Sequence, residues 1–93
     1  MTPRFFIRYH IAVEDHDVPR LSPEWRMRIR HAIETKLVVH PDIFGKPLRR
    51  SLAGSRKLRV GDYRVIFTLS KREVFVWAIG HRRDMYRFLD KRF

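Results

Sequence analysis

The sequence predicts an α+β fold, a small antiparallel sheet of about four strands with helices packed on one face. Three observations lead there. Between residues 55 and 70, KLRV alternates polar with apolar residues and YRVIFTL puts Val65, Phe67 and Leu69 on one face, the period-two pattern of half-buried strands. Gly61-Asp62 separates two such runs and suits a two-residue hairpin turn, with glycine where φ > 0 is needed. Trp25, Ile29, Ile33 and Leu37 recur every fourth residue, an apolar stripe on one face of a helix. Strand, helix, loop and three strands in that order, with a C-terminal segment able to form a last helix, give β-α-β-β-β.

Each element has a local reason. Phe5, Ile7, Tyr9 and Ile11 alternate with Phe6, Arg8 and His10, predicting a first strand with one buried face. Pro19 limits the acidic run Glu14–Asp17 to a short helical turn. Ser22-Pro23 starts the helix, with serine as N-cap, proline at the first helical position and Glu24 in the first turn. Pro41 biases His40 away from helical angles, so the helix ends near there. Residues 41–54 read as a long connection with two prolines and two glycines. Strands follow near 55–60, 63–69 and 73–80, the last apolar on both faces over VFVWAI as a central strand requires. The Ser70–Glu73 turn fits either two or four residues. Tyr86, Leu89 and Phe93 are spaced for a short helix.

Ninety-three residues make one domain, 1–93, with a single core. The chain has no cysteine, which excludes disulfides and thiolate metal sites and fits a reducing compartment. No apolar run suits a signal peptide or the roughly 20 residues of a membrane span, so a cytoplasmic domain without membrane contact is expected. The net charge of +11 is unevenly spread. Residues 1–45 hold seven Lys/Arg against six Asp/Glu, net +1, while residues 46–93 hold fourteen against four, net +10. Such concentration points to a polyanion, nucleic acid first, with an acidic protein surface as the other reading.

The hairpin sharpens that expectation. A two-residue turn at Gly61-Asp62 sets Val60 opposite Tyr63 and Arg59 opposite Arg64, with Lys57 one step diagonal. Like charges facing each other across a ladder cost about 0.2–1 kcal/mol. An anion such as a phosphate is their natural counterpart. Leu58, Val60, Val65, Phe67 and Leu69 face the helices, leaving Lys57, Arg59 and Arg64 on an open opposite face. The five histidines show no metal-ligand spacing, the four glycines form no phosphate loop, and no carboxylate pair lies on the basic strands. No metal or cofactor is implied. The candidate chemistry rests on these cations together with His81 and Tyr86.

The strings GKPLRRSLAG, KLRVGDYRVIF and GHRRDMY, in this order over nearly the whole chain, resemble the RelE/ParE toxin superfamily, and its RelE-like members in particular. The resemblance implies a toxin of a bacterial toxin–antitoxin pair that cleaves mRNA in the ribosomal A site without metal, leaving a cyclic phosphate and a free 5′-OH. It places Lys57 and Arg59 as the basic pair of the second strand, Arg64 as the arginine of the third, Arg82 as the arginine after the last strand, and Tyr86 as the C-terminal tyrosine. In that scheme the cations hold the scissile phosphate, Tyr86 helps deprotonate the 2′-OH, and Lys57, Arg59 or His81 meets the leaving oxygen. Lys46, Arg49, Arg50, Arg56, His81 and Arg83 would contact RNA, and an acidic antitoxin would neutralise the toxin. The chain departs from the pattern at Lys46, where some members carry a glutamate, and at Ser55-Arg56, where an aromatic is frequent. Two other functions stay open: a ParE-like toxin acting on DNA gyrase by protein contact, and an inactive relative that still binds antitoxin or RNA.

Overall fold

The computed structural model describes residues 4–47, 54–85, 87 and 92. Strand β1 (Phe6–Tyr9) leads into a π turn over Val13–Asp17 and a 3₁₀ turn over Val18–Arg20. Helix α1 (Pro23–Ala32) widens into a π turn at Ile33–Leu37, and a single helical turn, α2 (Pro41–Phe44), precedes the two-residue β2 (Lys46–Pro47). Then come β3 (Ser55–Val60), β4 (Tyr63–Ser70) and β5 (Glu73–His81). The sheet order is β1-β5-β4-β3-β2.

The α+β class, the helix and the three C-terminal strands stand where the sequence puts them. Ser22 caps α1, its hydroxyl accepting the Trp25 N–H at 3.3 Å, with Pro23 at the first helical position. The β3–β4 register is the expected one, Val60 opposite Tyr63 and Arg59 opposite Arg64. Gly61 takes φ +59°, and a Cβ there would sit 2.6 Å from the Trp25 ring of α1. Glycine is therefore required both by the turn and by the helix lying against it.

Two expectations about the strands need correction. The sheet is mixed, because β1 runs parallel to β5 while the other pairs are antiparallel. Two hairpins reverse the chain twice, so β5 runs as β3 does, and the helical crossover lets β3 follow the direction of β1. The first strand also ends at Tyr9, leaving Ile11 69 % exposed. The His10 N–H still reaches the Val76 carbonyl at 2.8 Å, but the Ala12 N–H turns back to His10 Nδ1 at 3.0 Å and the chain leaves the sheet.

Val13, Leu21, Ile29, Ile33 and Leu37 pack against Leu58, Val65, Phe67, Val74, Val76 and Ile79 to form the main core. The opposite face is not wholly open as expected. There Ile66 and Ala78 lie under Met85, which is 1 % exposed and comes from the turn after β5. The C-terminal helix expected over Tyr86, Leu89 and Phe93 falls outside the described residues.

The β4–β5 turn has two residues, since Ser70 pairs with Glu73. Lys71 in it takes φ +55°, a region that costs any side chain but glycine. Lys71→Gly should stabilise the fold by up to about 1 kcal/mol, read as a higher Tm in thermal unfolding. A lower Tm would mean that the lysine side chain contributes more than its backbone costs.

Candidate functional site

Alternation along β3 and β4 assembles the site. Lys57 stands opposite Ile66 and Arg59 opposite Arg64, so all three cations share the face turned away from the main core. Arg59 is exposed, while Lys57 and Arg64 are half-buried. The Arg64 guanidinium is anchored at the hairpin, its Nη1 donating to the carbonyls of Gly61 and Tyr63, each at 2.9 Å.

Arg82 joins them from the end of β5. Its backbone N–H donates to the Asp62 carbonyl at 2.8 Å, and its Nε lies 3.9 Å from Asp62 Oδ1. That pair is exposed on both sides, 57 % and 64 %, and such pairs contribute about 0–1 kcal/mol. Asp62 therefore does not remove Arg82 from service to a stronger anion. Around one hairpin tip the fold gathers Arg59, Arg64 and Arg82, with Lys57 two residues up the strand. The arrangement can bind a phosphate and favour charge growing on it.

The remaining candidates separate. Arg56 lies one residue off the cationic register, and its Nη1 donates to the carbonyls of Gly45 at 3.1 Å and Asp42 at 3.4 Å, tying down the α2 turn. His81 sits opposite Tyr63 on the helix-covered face, with ring centroids 5.5 Å apart. There it lines a cavity of about 200 Å³ with His16, Arg20 and Asp84, across the sheet from Arg64. Its Nδ1 accepts the Arg83 N–H at 3.2 Å, and Arg83 itself is exposed. Lys46 pairs with Lys57 in the β2–β3 ladder. Arg49, Arg50 and Tyr86 lie outside the described residues. Among the described residues, no three of His, Cys, Asp and Glu gather as metal ligands.

Sequence reasoning missed a buried ion pair. Asp17 accepts both Arg92 terminal nitrogens, Nη1 at 2.6 Å on Oδ2 and Nη2 at 2.8 Å on Oδ1. The side chains are 1 % and 8 % exposed. Burial alone would raise the Asp17 pKa. The hydrogen bonds from Arg92, His16 and the Ile79 N–H, with the Arg92 charge, more than reverse this and hold the carboxyl below its ordinary value. The structure makes Arg92 a core partner of Asp17 rather than a surface cation. No sequence signal links two residues 75 positions apart.

Known proteins place this geometry in a family. A family model described as the ParE toxin of the type II toxin–antitoxin system parDE matches residues 7–86. Toxin RelE of Mycobacterium tuberculosis is 31 % identical over 84 residues, covering 85 % of this chain and 87 % of that protein. Toxin RelG of the same organism is 42 % identical over 45 residues, and the match spans about half of each chain, 46 % and 52 %. Among solved structures, a chain of the M. tuberculosis RelBE2 toxin–antitoxin complex superimposes with a TM-score of 0.78 at 27 % identity, covering 85 % of this chain and 99 % of that one. A free-state mutant of E. coli toxin RelE gives a TM-score of 0.71 at 18 % identity over 97 % and 98 % of the two chains, a likeness of fold. With a matching family model and a RelE relative aligned along most of its length, the chain belongs to the RelE/ParE superfamily of type II toxin–antitoxin toxins.

Proposed function

We propose that this toxin is a metal-independent endoribonuclease that cleaves mRNA on the ribosome and is neutralised by an acidic antitoxin. The observation that carries the reading is the gathering of Arg59, Arg64 and Arg82 at one hairpin tip, with Arg59 and Arg64 facing each other across the ladder. Opposed arginines destabilise a free sheet and are relieved when a phosphate lies between them. In the proposed reaction the 2′-OH attacks the neighbouring phosphorus, a cyclic phosphate forms, and the 5′ oxygen leaves with a proton. Charge grows on the phosphate oxygens as this happens, so positively charged groups touching them lower the barrier. Tyr86 takes the base role by the family resemblance. Lys57 or Arg59, on the same face as Arg64, meets the leaving oxygen in this scheme, whereas His81, across the sheet, has no part in it.

A second reading has its own support, because the matching family model is described by ParE. The two readings differ in which process stops first. Expressed in bacteria without an antitoxin, a ribosome-dependent nuclease should halt protein synthesis while DNA replication and supercoiling persist. Loss of supercoiling before translation falls would favour the gyrase reading. Purified toxin added to ribosomes carrying a defined mRNA should give fragments ending in a cyclic phosphate, and intact mRNA at saturating toxin would end the nuclease proposal.

A further inference from the structure

Strand β1 accompanies β5 only from Glu73 to Val76. Beyond Val76 the outer edge of β5 would present bare backbone groups. The ion pair occupies that place. Asp17 Oδ2 accepts the Ile79 N–H at 2.8 Å, and Arg92 Nη1 donates to the Trp77 carbonyl at 3.1 Å. His16 Nδ1 lies 3.0 Å from Asp17 Oδ1 and steadies the carboxylate. One acceptor and one donor thus stand in for the missing strand.

This stretch is also where β5 is irregular. Ile66 pairs with Ala78 and Phe67 with Val76, so Trp77 is an extra residue. Side chains alternate with period two, so removing that bulge would exchange the two faces for every residue from Ala78 onward. Ile79 would leave the main core, and Arg82, three residues further on, would leave the cationic face. The inner edge of the bulged end is held by the β4 ladder. The outer edge is held by Asp17 and Arg92. A buried ion pair is a poor source of stability compared with apolar residues of similar volume, so its use here calls for another role.

We propose that Asp17 and Arg92 are a positioning pair, which holds the bulged end of β5 so that Arg82 stands beside Arg64, and therefore acts on the chemical step rather than on ribosome binding. The proposal rests on the nuclease reading above for its effect on rate, but not for its effect on geometry. The test compares wild type with Asp17→Leu/Arg92→Met, which replaces the pair by apolar side chains, and with Arg92→Lys, which keeps charge and one donor. Three quantities are read: saturated single-turnover cleavage of ribosome-bound mRNA, ribosome affinity, and amide hydrogen exchange at Ile79 and Arg82. The apolar double variant should keep ribosome affinity within about twofold, lose Ile79 and Arg82 amide protection, and cleave at least on the order of tenfold more slowly. Arg92→Lys should fall between it and wild type, and it still decides the matter if the double variant fails to fold. An Arg92→Lys protein with looser Ile79 and Arg82 amides but an unchanged saturated rate would overturn the proposal, as would a rate loss that follows ribosome affinity alone. If wild type itself leaves mRNA intact, the nuclease reading fails separately. The exchange data then judge the pair on its own: unchanged Arg82 protection in the variants would refute it, and lost protection would uphold it.

Discussion

Arg64→Ala and Arg82→Ala should each lower the saturated cleavage rate by on the order of 10²-fold or more while the protein remains folded. The Arg64 guanidinium is anchored at the β3–β4 turn through the Gly61 and Tyr63 carbonyls, and the Arg82 backbone is held there by the Asp62 carbonyl. A cation fixed in advance costs no reorganisation when charge develops on the phosphate, so its removal raises the barrier itself. Arg64→Lys should recover only part of the rate, because an ammonium cannot reproduce the planar fork. The control is Lys71→Ala with Arg72→Ala at the other end of β4. Arg64 and Lys71 are seven residues apart along an extended chain, about 23 Å at 3.3 Å per residue. Fields of exposed charges fade over about 8 Å at physiological salt. The control pair should slow association, in the way that added salt does, and leave the saturated rate nearly unchanged. A control that abolishes cleavage at saturation while Arg64→Ala and Arg82→Ala cleave normally would place the site elsewhere.

The largest stability effects are expected where Phe67 fills the core. Its side chain is fully buried, and a Cβ built on Gly45 would run into its ring and come within 2.9 Å of the Pro41 carbonyl. Phe67→Ala should cost about 3–5 kcal/mol, a large share of the roughly 5–15 kcal/mol that holds a domain together. Gly45→Ala should cost about 1–3 kcal/mol by overpacking. The two changes should not add, because the methyl at position 45 enters the space that the ring vacates. Denaturant unfolding of the four proteins in this cycle measures the coupling. Additive losses would show that Gly45 and Phe67 do not share one contact.

Local chemistry made much of the fold legible. Ser22-Pro23 announced the start of α1, the four-residue spacing from Trp25 to Leu37 gave its buried side, and Gly61-Asp62 set the hairpin register. That register alone brought Arg59, Arg64 and Lys57 to one face, because alternation in a strand is a local rule. Arg82 was named through family resemblance, since alternation read past the bulge at Trp77 would put it on the other face. Tyr86 was legible only through family resemblance, and the described residues do not reach it.

Local sequence thus specifies α1, the three C-terminal strands, the face of β3 and β4 that carries the cations and the concentration of charge in the second half of the chain, but not α2 or β2 within the 41–54 connection. Those properties depend on neighbours a few residues apart. Tertiary structure decided the parallel pairing of β1 with β5, the cover that Met85 lays over Ile66 and Ala78, the placing of His81 across the sheet, and the assignment of Arg56 to the Asp42 and Gly45 carbonyls. It also joined Asp17 to Arg92 and to the bulge at Trp77. The bulge adds one residue to β5 and reverses which side chains face the core beyond it, so alternation read straight through VFVWAIGH puts His81 on the wrong side. Contacts between residues 62 and 75 positions apart exist only once strands and turns have packed together.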